Sequence, residues 1–136
     1  MYTPPIQDQK FVLEYLIGFD SIVQQLSMNG QNMEEIDKDL IWSILDEAGK
    51  FASTVLAPIN HTGDQQNSTI TEEGCVRTPD GFKEAYRAMC EAGWTTLEAK
   101  SEWGGQQMPM SVSAAVCEMW HSANMSFALC HLLSQG

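Results

Sequence analysis

Positive charge is scarce in this chain and missing from its last stretch. Seven Lys and Arg stand against 18 Asp and Glu in 136 residues, a formal net charge of −11. Such a balance argues against nucleic acid and against an anionic membrane surface as partners, because both recruit clustered cations. Long apolar runs are also lacking, so no segment is built to span a bilayer. The start, "MYTPPIQDQKF", has no basic region followed by an apolar run and does not read as an export signal. The four cysteines, Cys75, Cys90, Cys117 and Cys130, are widely and unevenly spaced, and no export signal accompanies them. Reduced thiols and a cytoplasmic location are therefore expected.

An apolar fraction of 43 % supports one compact domain with a real core. Its distribution is uneven. All the Lys and Arg lie at or before Lys100, and beyond it the only formal charges are Glu102 and Glu118. That last stretch is rich in Met, Trp, Phe and Leu, and so poor a share of charge demands a covering surface. We expect the chain to be the N-terminal portion of a longer protein.

Helical periodicity runs through most of the sequence. Phe11, Val12, Tyr15, Leu16 and Phe19 mark one face of a first helix. The strongest stripe belongs to a helix starting near Asp37 and takes in Ile36, Leu40, Ile41, Ile44, Leu45, Ala48, Phe51, Ala52, Val55 and Leu56, with Pro58 expected to end it. A polar connection of more than 20 residues should follow. Thr78 and Pro79 read as the start of another helix, and Gly93 as the left-handed residue past its end. Two more helices should begin near Pro109 or Ser111 and near Met125 or Ser126. The expected fold class is all-α, a bundle of about five helices.

Candidate chemistry is thin. Gly104 and Gly105 lack the lysine of a phosphate loop and the three-glycine dinucleotide spacing, which favours a sharp turn. Cys117, His121, Cys130 and His131 could supply four zinc ligands. Adjacent Cys130 and His131 diverge on a helix, however, and buried packing is the simpler reading, so no metal site is assigned. Glu118 is an isolated acid on an apolar helix and no catalytic role is given to it.

Four stretches in order carry a resemblance: "IDKDLIWSILDEAGKFASTVLAPIN", "TPDGFKEAYRAMCEAGW", "EWGGQQMP" and "CEMWHSANMSFALC". Together they resemble the N-terminal helical domain of the flavin-dependent acyl-CoA dehydrogenases. The opening "YTPPIQDQKFVLEYL" is similar to the longer bacterial branch, whose enzymes resemble methylmercaptopropionyl-CoA dehydrogenase. The resemblance implies a domain spanning residues 1–136, with 1–32 as an N-terminal extension helix and loop. A middle β domain and a C-terminal helical domain would lie outside this chain.

It further implies FAD as cofactor, held mainly by those other domains, and a glutamate base in the C-terminal one, so no catalytic residue is expected here. The expected reaction is oxidation of acyl-CoA to 2-enoyl-CoA, with electron-transfer flavoprotein as acceptor and a homo-oligomeric parent. By position in the resemblance, Phe127, Ala128, His131, Ser134 and Gln135 are expected to bind the acyl chain. An imidazole at His131 would suit a short or heteroatom-bearing acyl group. Trp103 stands where the family usually has tyrosine. The competing expectation is a stand-alone all-α interaction module without catalysis.

Overall fold

A computed structural model describes residues 2–28 and 37–133. Among them, five helical runs and one small hairpin follow in order. The first run comprises α1 (Ile6–Phe11), a π-helical stretch Val12–Gly18 and α2 (Phe19–Met28). The second comprises α3 (Lys38–Phe51), a π turn Ala52–Leu56 and α4 (Ala57–Gln66). Strands β1 (Thr69–Ile70) and β2 (Val76–Arg77) pair antiparallel, Thr69 opposite Arg77. Helices α5 (Phe82–Glu91), α6 (Met110–Ala123) and α7 (Met125–Leu133) complete the fold. The all-α reading holds, with the hairpin as a small addition.

Helix α3 starts where its cap chemistry demands. The Asp37 carboxylate accepts from the Leu40 backbone N–H at 2.8 Å, satisfying a donor that the first helical turn leaves without a partner. Its apolar stripe then packs on α6. Ile41, Leu45, Ala48, Ala52 and Leu56 meet Val112, Val116, Met119 and Trp120 in one buried cluster. Helix α6 is buried on several sides, which explains why its sequence carries only one formal charge.

Three expectations need correction. Pro58 does not end the second run. The turn before it is already opened to π geometry, with the Ala57 N–H donating to the Ala52 carbonyl. Proline can then sit in the first turn of α4 without removing a bond that the helix needs. The helix continues to Gln66, so the long polar connection is mostly helix and hairpin. Helix α5 begins at Phe82 rather than at Pro79, behind the left-handed Gly81, and no side chain caps it. Gly93 does adopt the left-handed conformation expected past the end of α5.

The first run also presents a different face from the one expected. Gln9, Leu13 and Ile22 are the buried residues, whereas Phe11, Tyr15 and Leu16 are 54, 69 and 70 % exposed. A π-helical stretch advances more residues per turn than an α-helix, so α-helical spacing does not locate its inner face. Polar pins hold this run on α3. Lys10 pairs with Asp46 at 2.9 Å and Lys38 pairs with Glu14, and both ammonium groups lie within 6 Å of the Trp42 ring.

The segment from Trp94 to Met108 closes on itself. Backbone N–H groups of Gln106, Gln107 and Met108 donate to the carbonyls of Thr96, Ala99 and Leu97. Gly104 turns the chain with φ +76°. Gly105 lies against Ala99 so closely that a Cβ there would stand 1.9 Å from the Ala99 carbonyl oxygen. One glycine of the pair thus makes the turn and the other permits backbone to meet backbone.

Candidate functional site

The sequence pointed to α7, and Asn124 sets where that helix begins. The Asn124 carbonyl accepts from the Ala128 N–H at 3.0 Å. Its side-chain Oδ1 accepts from the Phe127 N–H at 3.1 Å and from the Ser126 hydroxyl at 3.0 Å. This is the N-cap arrangement. Its Nδ2 donates to the Leu56 carbonyl at 3.1 Å, tying the α6–α7 junction to the π turn after α3. The sequence reading overlooked Asn124, although an Asn directly before an apolar run is a helix-start signal.

Phe127 and Ala128 are buried, and His131 is 5 % exposed. Phe127 meets Phe82 edge to face with ring centroids 5.6 Å apart, which fastens α7 to α5. Ala128 sits in the core. His131 lies edge to face on Trp120 at 5.3 Å, and Trp120 in turn contacts Trp94 and Phe51. Burial lowers the His131 pKa, reinforced by the nearby His121, so its imidazole is held neutral. Ser134 and Gln135 lie outside the described residues.

An open groove of about 560 Å³ runs between α5, α7 and the hairpin. Phe82, Tyr86, Phe127 and Cys130 form its apolar side, with Lys83 and Thr78 at its edge. Of the residues expected to meet an acyl chain, Phe127 lines this groove, while Ala128 and His131 stand behind it in the bundle. The other face of α7 carries Met125, Leu129, Leu132 and Leu133, all exposed. The charge-poor stretch is therefore half explained: α6 is covered inside this chain, and α7 keeps an apolar outer face.

The remaining candidates separate in space or are occupied. His121 Nδ1 donates to the Cys117 carbonyl at 2.7 Å, one turn back on its own helix. Burial raises the Cys117 thiol pKa, the nearby Glu98 adding to it, which disfavours the thiolate a metal would need. Among the described residues, no three of His, Cys, Asp and Glu gather as metal ligands. Glu118 is exposed and accepts from the Gln9 amide at 3.0 Å. Ala99 fills the space at Gly105, the second glycine of the pair, and Gly104 serves the turn. No helix of the described residues is long and apolar enough to cross a membrane.

Residues 42–136 match the family described as acyl-CoA dehydrogenase, N-terminal domain. The chain is 36 % identical to the 3-methylmercaptopropionyl-CoA dehydrogenase of Ruegeria pomeroyi over 135 residues, which is 99 % of this chain and 22 % of that protein. It is 27 % identical to the broad-specificity linear acyl-CoA dehydrogenase FadE5 of Mycobacterium tuberculosis over 124 residues, 90 % of this chain and 20 % of that protein. The chain thus spans about a fifth of the length of these curated relatives. With a helical bundle in the matched region and the family's description covering it from residue 42 onward, the chain belongs to the acyl-CoA dehydrogenase family, as its N-terminal domain.

Proposed function

We propose that these residues are the N-terminal part of a flavoenzyme that oxidises acyl-CoA thioesters to 2-enoyl-CoA. The observation that carries the reading is the near end-to-end similarity to a curated acyl-CoA dehydrogenase, helices of the N-terminal extension included. On this reading residues 1–136 form the helical N-terminal domain, 1–32 its extension, and the middle β and C-terminal helical domains lie elsewhere in the protein. The parent works in the cytoplasm in fatty-acid-type metabolism, as a homo-oligomer that passes electrons to electron-transfer flavoprotein.

The closed Gly104–Gly105 loop fits a chain that leaves the cofactor phosphates to other domains. FAD, held mainly by those other domains, would supply the hydride acceptor for the acyl Cβ. The residues described here shape and dry the acyl side of the site. Phe127 supplies apolar surface, Ala128 and His131 set the position of α7 by packing behind it, and Ser134 and Gln135 are assigned to acyl binding by the family resemblance alone. His131 acts on acyl selectivity through its seat on Trp120. The substrate class favoured is a short or heteroatom-bearing acyl group, in keeping with the thioether acyl named for the relative from Ruegeria pomeroyi. The base is in the C-terminal domain, and the 136-residue chain alone is inactive.

Anaerobic addition of acyl-CoAs to the full-length protein tests this reading. Bleaching of a bound flavin, strongest with a short thioether or similar acyl group, is the expected result. Absence of flavin would overturn it in favour of a stand-alone helical module.

A further inference from the structure

A glycine in the middle of a helix asks for a reason, because alanine suits that position better. Gly63 stands inside α4, and the reason is Phe82 at the start of α5. A Cβ on Gly63 would lie 2.7 Å from Cζ and 2.9 Å from Cε2 of the Phe82 ring. The contact is one of a series along a single face of α4, at Ile59, Gly63 and Gln66, which share a side at helical spacing. A Cβ on Gly81 would in turn stand 2.7 Å from Ile59 Cγ2. The Gln66 amide donates to the Asp80 carboxylate at 3.0 Å, and its oxygen accepts from the Asp80 backbone N–H at 2.8 Å. The entry to α5 is therefore fixed on α4, with the edge of the Phe82 ring set against bare backbone. The same ring meets Phe127 of α7 edge to face at 5.6 Å, and both rings line the groove between α5, α7 and the hairpin. Among the described residues no Asp or Glu lines that groove, and its only charged residue is Lys83 at the edge.

We propose that Phe82, seated on Gly63, is the stop that limits the length of acyl chain this groove accepts. The proposal rests on the reading of the chain as the acyl-side domain of an acyl-CoA dehydrogenase. The groove wall is apolar and free of carboxylates, which suits an uncharged chain. Phe82 is half-buried, packed against the core while it lines the groove, so its ring is a fixed part of the wall and not a loose surface group. Its position is decided from behind. Gly63 lets the ring sit deep against α4, and any side chain there would move the ring off α4 and into the groove it lines. A packed ring that cannot yield discriminates by length, since one methylene more or less against such a wall changes kcat/KM by about tenfold or more. A short acyl group is then favoured for a steric reason that acts independently of His131.

The test compares full-length proteins across straight-chain acyl-CoAs from butyryl to dodecanoyl, reading kcat/KM for each. Phe82→Leu removes the outer ring atoms and should raise the octanoyl-to-butyryl ratio roughly tenfold. Gly63→Ala suits the helix but displaces the ring, and should lower that ratio by a similar factor, roughly tenfold. In the Phe82→Leu background the ring atoms that Gly63→Ala would strike are gone, so the double variant should keep the ratio of Phe82→Leu alone. An unmoved ratio, a shift of the same sign in both single variants, an equal fall for every acyl length, or additive effects in the double variant would each overturn the proposal. Should Gly63→Ala fail to fold, the sign of the Phe82→Leu shift decides. Flavin bleaching in the unsubstituted protein separates the two levels. Bleaching with an unmoved ratio in the variants refutes the stop at Phe82 alone, and no bleaching by any acyl-CoA refutes the enzyme reading.

Discussion

The side-chain amide of Asn124 donates to the Leu56 carbonyl across 68 residues of sequence, while its oxygen caps the helix that follows. One buried side chain therefore both fixes the start of α7 and ties it to the opened turn after α3. Asn124→Ala removes the cap and leaves the Leu56 carbonyl without this donor, at a cost of about 2 to 3 kcal/mol. Asn124→Asp keeps the cap and loses the donor. Urea denaturation should rank Asn above both variants, because Asp also sets a buried carboxylate oxygen against the Leu56 carbonyl, and a midpoint for either variant equal to that of Asn would contradict the dual role.

The glycine pair separates into two experiments. Gly104 needs only its left-handed φ, so Gly104→Ala should cost about 1 kcal/mol. Gly105→Ala drives a methyl into the Ala99 carbonyl and must push apart the pairing of Thr96, Leu97 and Ala99 with Gln106, Met108 and Gln107. Its cost should exceed roughly 2 kcal/mol, in the range of overpacked sites. Melting temperatures of the two single variants check the order.

Trp120 joins Phe51, Trp94 and His131 in one aromatic cluster and is 1 % exposed. Trp120→Ala should cost about 3 to 5 kcal/mol through the cavity it leaves. Trp120→Phe should cost less than its lost area suggests, because the buried indole Nε1 has no partner among the described residues and its removal relieves that penalty. Calorimetry of both variants measures the difference.

The neutral His131 makes stability depend on pH with a definite sign. Its folded pKa lies below the ordinary imidazole value of 6.5, chiefly because burial disfavours the charged ring. The unfolded chain therefore takes up the proton first as pH falls. The full contribution is present above 6.5 and is lost progressively as pH drops from 6.5 toward the folded pKa. Denaturation midpoints measured from neutral pH down to about pH 5 should fall more steeply in the parent than in His131→Gln. Parallel curves would show that the ring titrates normally.

Local chemistry made much of the fold legible in the sequence. Asp37, Gly93 and the apolar stripe of α3 act through neighbours within a turn or two, so start, stop and core face could be read directly. The turn at Gly104 was legible for the same reason. What Gly105 meets was not, because Ala99 comes against it only when the loop closes. Periodicity found the first helix but not its inner face, since the π winding between Val12 and Gly18 changes the rotation per residue. Pro58 as a helix end was the right rule for an α-helix, and the π turn before it removed the conflict on which that rule depends.

At the candidate site the sequence located α7 and its apolar character. Tertiary structure alone decided that Phe127 reaches the groove while His131 turns inward to Trp120, because Asn124 sets the register of that helix through a carbonyl 68 residues away. The residue types, and with them most local turns and the family, came from the sequence. Which faces were covered depended on contacts between segments distant in the chain, and no window of local sequence contains those.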